Sequence, residues 1–221
     1  MSFVLLLAFL CMDAGAQQNP FMNDAVGRPL YLQTNYTAEG SPYLYENYRP
    51  AEITTTNNRV YKDVNVKINL AENIVQFIND RGEELVATIP IKQIRLLGLN
   101  STGGLQELVF LSLNKSINTP NDSVYQVLDS GRVSLLAHVR VNYRDEKRYG
   151  QAGITRIFKT SYTYYIWRDG KKERLERNKD AVLQALADKR TEVEAYVRKE
   201  SLGYRSENDL AKIFRFYNSS H

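Results

Sequence analysis

Few side chains in this 221-residue chain are of the kinds that carry out covalent chemistry, and those few stand apart. The two histidines are His138, on the polar side of an alternating stretch, and His221, the last residue. Neither has another histidine or a carboxylate at the i, i+4 spacing of a helical metal site. A Ser-His-Asp triad would have to use His138, and no Gly-x-Ser-x-Gly elbow accompanies it. Phosphate-loop and Rossmann glycine patterns are also missing from the sequence. Glycoside cleavage needs only two acids placed across a cleft, and Glu83, Glu84 and Glu107 are the acids from which such a pair could be drawn. Glu83-Glu84 directly follows Gly82, where a charged turn is the ordinary explanation. No catalytic, cofactor-binding or metal-ligating residue is therefore assigned and no cofactor is expected, so the reading leans away from an enzyme.

Binding chemistry is better represented. The chain has fifteen tyrosines, whose flat faces and polar tips bury area at low entropic cost. Most are accounted for by strand propensity. Tyr43, Tyr45 and Tyr48 beside Arg49 are not, because their segment lacks strand periodicity. Basic residues form a second candidate surface: the stretch from Arg140 to Arg177 carries a net +6, within a chain of net +4. Arg144, Lys147 and Arg148 fall together at the start of a charged, Gly-containing loop that ends at Gly153. On an exported protein such a patch would meet anionic lipid headgroups or acidic glycans rather than nucleic acid.

Four segments would have to position these groups. Residues 1–16 hold an apolar run, Phe3 to Leu10, then Ala14-Gly15-Ala16 and Gln17, which is the pattern of a cleavable signal peptide cut between Ala16 and Gln17. The run is shorter than the roughly 20 apolar residues of a membrane-spanning helix. Cleavage would remove Cys11, the only cysteine, so the mature chain would have neither disulfides nor thiol chemistry. Residues 17–50 contain Pro20, Pro29, Pro42 and Pro50 among their tyrosines, a density that predicts extended or looped chain.

Residues 51–170 alternate with period two. Val60, Val64, Val66, Ile68 and Leu70 share one side, and short turns at Ala71-Glu72-Asn73 and Asp80-Arg81-Gly82 predict an antiparallel meander. Two long strands follow, Arg132 to Tyr143 and Thr155 to Trp167, each apolar on one side, as in a sandwich, roll or open barrel. Residues 171–221 change to a helical period. Val182, Leu183 and Leu186 form one stripe, Val193, Tyr196 and Val197 a second, and Leu210, Ile213, Phe214 and Tyr217 a third. Asp188 is the expected cap of the second helix and Leu202-Gly203 its expected end, while Ser206 with Asp209 marks the start of the third. The fold class is α+β: a mainly antiparallel sheet with a C-terminal appendage of two to three short helices.

At Gly40-Ser41-Pro42-Tyr43-Leu44, at Val60-Tyr61-Lys62-Asp63-Val64 and along the tail from Leu210 to Asn218, the chain resembles a group of uncharacterised exported, signal-peptide-bearing proteins of Gram-negative bacteria. The resemblance implies an envelope location and a strand-rich body closed by helices; it brings no activity, cofactor or site residue. The expected protein is a non-catalytic binding or interaction module, periplasmic, outer-membrane-associated or secreted, with another envelope protein or a surface component as partner. Two alternatives differ in class: a barrel-like carrier of a small apolar ligand, and a carboxylate-dependent hydrolase acting on glycans.

Overall fold

A computed structural model describes residues 27–30, 35–99, 104–113, 116–118, 124–147, 149 and 153–219. The signal segment with its Ala16–Gln17 cleavage point, and Arg148, lie outside the described residues.

Among the described residues, twelve strands form one sheet. They are β1 (Gly27–Pro29), β2 (Tyr36–Glu39), β3 (Arg49–Thr55), β4 (Val60–Asn69), β5 (Ile74–Ile78), β6 (Glu84–Ala87), β7 (Ile91–Leu99), β8 (Leu105–Leu111), β9 (Tyr125–Asp129), β10 (Ser134–Glu146), β11 (Ile154–Arg168) and β12 (Lys171–Arg174). The spatial order is β1-β6-β5-β4-β3-β7-β8-β9-β10-β11-β12, with β2 placed separately on β11. Every pairing is antiparallel except β2 with β11. The meander follows from its turns. The Asn69 side-chain oxygen accepts from the backbone N–H groups of Ala71 and Glu72 at 3.0 and 3.1 Å, and that of Asn79 accepts from Arg81 and Glu83 at 3.0 and 2.9 Å.

The long hairpin β10–β11 stays in register from Ser134↔Trp167 to Glu146↔Thr155. One side of this hairpin serves two cores. Val139 and Val141 pack with Ile53, Val66, Phe77, Ile94 and Phe110, so the sheet coils back on itself. Val133, Leu135, Ala137, Tyr164 and Ile166 pack instead under the helices. Those helices are α1 (Lys179–Ala185), α2 (Arg190–Lys199) and α3 (Glu207–Ser219). Each expected stripe faces inward: Val182, Leu183 and Leu186, Val193 and Val197, and Leu210, Ile213, Phe214 and Tyr217 are buried. Tyr196 is the half-buried exception, stacked on Phe216 with centroids 4.1 Å apart.

Three details depart from the sequence reading. The tail taken as helical from residue 171 opens with one more strand, β12, and helix begins at Lys179, capped by Asn178. Asp188 does not cap α2. It lies in the 3-10 turn Ala187–Lys189, and its carboxylate accepts from Tyr217 Oη at 3.0 Å and from Arg132 at 2.7 Å. α2 stops at Lys199 rather than at Leu202-Gly203, because Ser201 turns to φ 52° and the Leu202 N–H returns to the Val197 carbonyl at 2.9 Å. Leu136, the apolar residue on the polar side of its strand, is buried, since that side carries an aromatic group of its own. Tyr125 lies 5.1 Å from His138 and 5.9 Å from Tyr165, centroid to centroid.

Candidate functional site: a tyrosine–arginine pocket under a strap

The chain between β2 and β3 straps one end of the coiled sheet. β2 pairs in parallel with the first residues of β11, Tyr36↔Ile154 through Glu39↔Ile157. At Gly40 the backbone takes φ 74°, and a Cβ there would sit 2.7 Å from the Phe158 carbonyl oxygen, so only glycine allows this crossing. The strap then joins the far end of β4: the Leu70 N–H donates to the Pro42 carbonyl at 2.8 Å and the Leu44 N–H to the Ile68 carbonyl at 2.9 Å, with Tyr43 opposite Asn69. The segment Gly40 to Leu44 thus ties β11 to β4.

Beside this strap lies a pocket of about 470 Å³. Tyr36, Tyr43 and Tyr143 provide its aromatic walls, Arg28 and Arg156 its cations, and Glu46 and Glu72 its anions. Gln76 also lines it.

The best-fixed of these groups is Arg156. Hairpin register sets it directly opposite Asp145. The carboxylate accepts from Nε at 2.7 Å and from Nη2 at 2.8 Å, a two-pronged contact that fixes the plane of the guanidinium. Tyr36 and Tyr143 place their rings 4.3 and 4.0 Å from the guanidinium carbon. The hydrogen bond from Arg156 holds the Asp145 carboxyl below its ordinary value, and the same bond raises the guanidinium above its own. Tyr143 also meets Phe158 edge-on at 5.9 Å and remains about half exposed.

Gln76 has a different environment. It lies in β5 opposite Lys67 and Val86, on the side of the sheet away from Val66 and Phe77, and is 1% exposed. Its Nε2 is buried without a hydrogen-bond partner. A buried amide donor left unpaired costs about 1–3 kcal/mol, so such groups are rare without a reason.

The tyrosines and basic residues singled out from sequence are dispersed. Tyr43 forms part of the pocket wall, with the Lys67 ammonium 3.9 Å from its ring centroid. Tyr48 lies 5.9 Å from the same ammonium. Its hydroxyl is buried and unpaired, and burial, then the Glu84 carboxylate, raises its pKa. Tyr45 turns away from the pocket into a larger groove between the sheet and α3, and the Arg49 guanidinium lies 5.1 Å over its ring. Arg49 Nε is buried and unpaired. Arg144 is adjacent in sequence to Asp145 and so points to the opposite side of the sheet, where it bonds Glu146 at 2.9 Å. Lys147 is exposed beyond the strand end.

The groove beside α3 is bigger, about 1030 Å³, and is lined by Tyr45, Leu108, Phe110, Tyr162, Glu207 and Lys212 among others. The pocket is the stronger candidate because Gln76, whose Nε2 is buried and unpaired, is among its lining residues, whereas among the described residues no side chain with a buried unpaired atom lines the groove.

Sequence reasoning missed Arg28, Tyr36, Tyr143, Arg156 and Gln76 as site residues. Gln76 had a legible signal, a lone amide inside the apolar run Ile74 to Ile78. The Asp145–Arg156 pair had none, because it exists only once hairpin register is set.

The carboxylates considered for hydrolysis do not assemble. Glu83 Oε2 accepts from Asn79 Nδ2 at 2.7 Å within the β5–β6 turn, and Glu107 belongs to β8, across β5, β4, β3 and β7 from there. Among the described residues no three His, Cys, Asp or Glu side chains gather as metal ligands, and no helix is long and apolar enough to cross a membrane. No family model, curated protein or solved structure matches the chain.

Proposed function

We propose that the protein is an exported, non-catalytic binding module of the cell envelope, and that it recognises a small polar molecule in the pocket bounded by Tyr36, Tyr43, Tyr143, Arg28, Arg156 and Gln76. The observation that carries this reading is the buried, unpaired Gln76 Nε2 in a concavity whose guanidinium and aromatic walls are already held in place. Turning the Gln76 amide toward the cavity would give Nε2 a ligand acceptor and recover a desolvation cost that the free protein bears. The pocket volume falls within the roughly 300–1,000 Å³ of small-molecule sites.

The apolar-carrier alternative is less favoured, because the inside of the coiled sheet is filled. Ile53, Val75, Phe77, Ile91, Ile94 and Phe110 are all 0% exposed and pack on one another. The hydrolase alternative lacks converging acids among Glu83, Glu84 and Glu107.

Native mass spectrometry after incubation with an envelope extract tests the reading. The wild-type chain is expected to retain a small molecule that the Gln76→Leu variant does not. A wild-type chain that emerges bare, or a retained mass indifferent to Gln76→Leu, contradicts the assignment of the pocket.

A further inference from the structure

We infer that the pocket takes a neutral saccharide, one or two sugar rings stacked on its tyrosines. This rests on the binding reading above and specifies its ligand.

The argument begins with charge. Arg28 and Arg156 are matched in the lining by Glu46 and Glu72, and the Asp145 carboxylate bonded to Arg156 is offset by the Lys67 ammonium over Tyr43. An anionic ligand would gain from the arginines but meet the carboxylates, and a cationic one would face the reverse. A charge removed from water keeps a net gain only when its surroundings compensate it one-sidedly. This lining does not.

An apolar ligand is disfavoured by hydrogen bonding. It would strip water from the two arginines and two glutamates and still leave Gln76 Nε2 unpaired. The Gln76 amide nitrogen and the arginines are donors, and the glutamates are acceptors. A hydroxyl is both donor and acceptor, and a ring of neighbouring hydroxyls can meet the two kinds of partner without bringing net charge.

Shape gives the second half of the argument. A sugar ring has apolar C–H faces and a polar rim. Tyr143 is 51% exposed although it is anchored against Phe158 and Arg156, so its place is fixed while much of its surface remains open. Its neighbour Tyr36 is held by the same guanidinium. Flat surfaces of this kind bury area without losing much side-chain entropy. The planar groups of Gln76, Arg28 and Arg156 surround them with directional donors.

The test is a glycan array carrying neutral and acidic oligosaccharides, probed with the chain lacking residues 1–16, followed by saturation-transfer NMR on each hit and on oleate as an apolar control. The expected result is binding confined to neutral glycans, with saturation reaching the ring C–H protons. Tyr143→Ala and Gln76→Leu should each weaken it at least tenfold. Tyr45→Phe, in the groove outside the pocket, should leave it unchanged. Binding of acidic glycans alone, or of oleate alone, overturns the saccharide assignment; loss of that binding in Gln76→Leu would still uphold the pocket. Silence of every probe overturns the saccharide assignment too, and native mass spectrometry with envelope extract then decides separately whether the pocket binds anything.

Discussion

Under the proposed function, Gln76 sets stability against recognition in one side chain. Replacing it with Leu removes a buried donor that has no partner, and such a replacement is neutral or stabilising when the new side chain fits. We expect Gln76→Leu to gain about 1 kcal/mol, a rise in Tm of about 2–4 °C by calorimetry, while ligand retention is lost. A fall in Tm would show that the amide already makes a stabilising contact in the folded chain. His138 gives a pH signature outside the pocket. Burial, then the charges of Arg140 and Lys172, keeps its imidazole below the ordinary 6.5. The ammonium of Lys172 is fixed there by donating to Tyr125 Oη at 2.6 Å. As pH falls, the unfolded chain takes up this proton before the folded one. The stability tied to His138 is therefore complete above about 6.5, declines through the window down to the lower folded value, and then levels off. Urea unfolding at pH 7.5 and pH 5 should show a smaller difference in His138→Gln than in the wild type.

Among the elements, the helices and the hairpin make the clearest contrast in what sequence can convey. The three helical stripes were legible because a period of 3.6 is a local property, and the same holds for Ser206, whose hydroxyl meets the Asp209 N–H at 3.4 Å. Asp188 was misread because its partners, Arg132 and Tyr217, come from the turn between β9 and β10 and from α3, and no local pattern announces them. The parallel attachment of β2 to β11 was illegible for the same reason. Docking of the appendage depends on one side chain in particular. Asn218 donates to Asp129 at 2.7 Å and to the Val133 carbonyl at 3.0 Å, and accepts from the Val133 N–H at 3.2 Å. Gly131 leaves it room, since a Cβ there would collide with the Asn218 side chain. Asn218→Ala should cost about 2 kcal/mol and lower Tm by about 4–8 °C, with hydrogen exchange rising first at Val133 and in α3.

At the scale of the whole molecule, the two strands that end the sheet order, β1 and β12, are poor templates for further pairing. β1 is only three residues long and contains Pro29, and β12 is Lys-Lys-Glu-Arg, exposed throughout. Short, charged and proline-bearing edges discourage strand addition by a second copy. The double variant Lys171→Val with Arg174→Val should therefore self-associate in sedimentation velocity under conditions where the wild type does not. Export is tested directly by the mass of the protein isolated from its native host, which should correspond to a chain beginning at Gln17; material retaining Met1 would remove the envelope from the proposal. The strap joining β2 to β11 also has a kinetic consequence. It unites early and late parts of the sequence through a parallel pairing, the slow kind of contact to form, so the pocket wall at Tyr36 should close after the meander has condensed. Recognition would then switch on only when folding is complete, and a bound guest would act as a rivet between the two distant stretches of chain, slowing their separation more than that of any other part of the molecule.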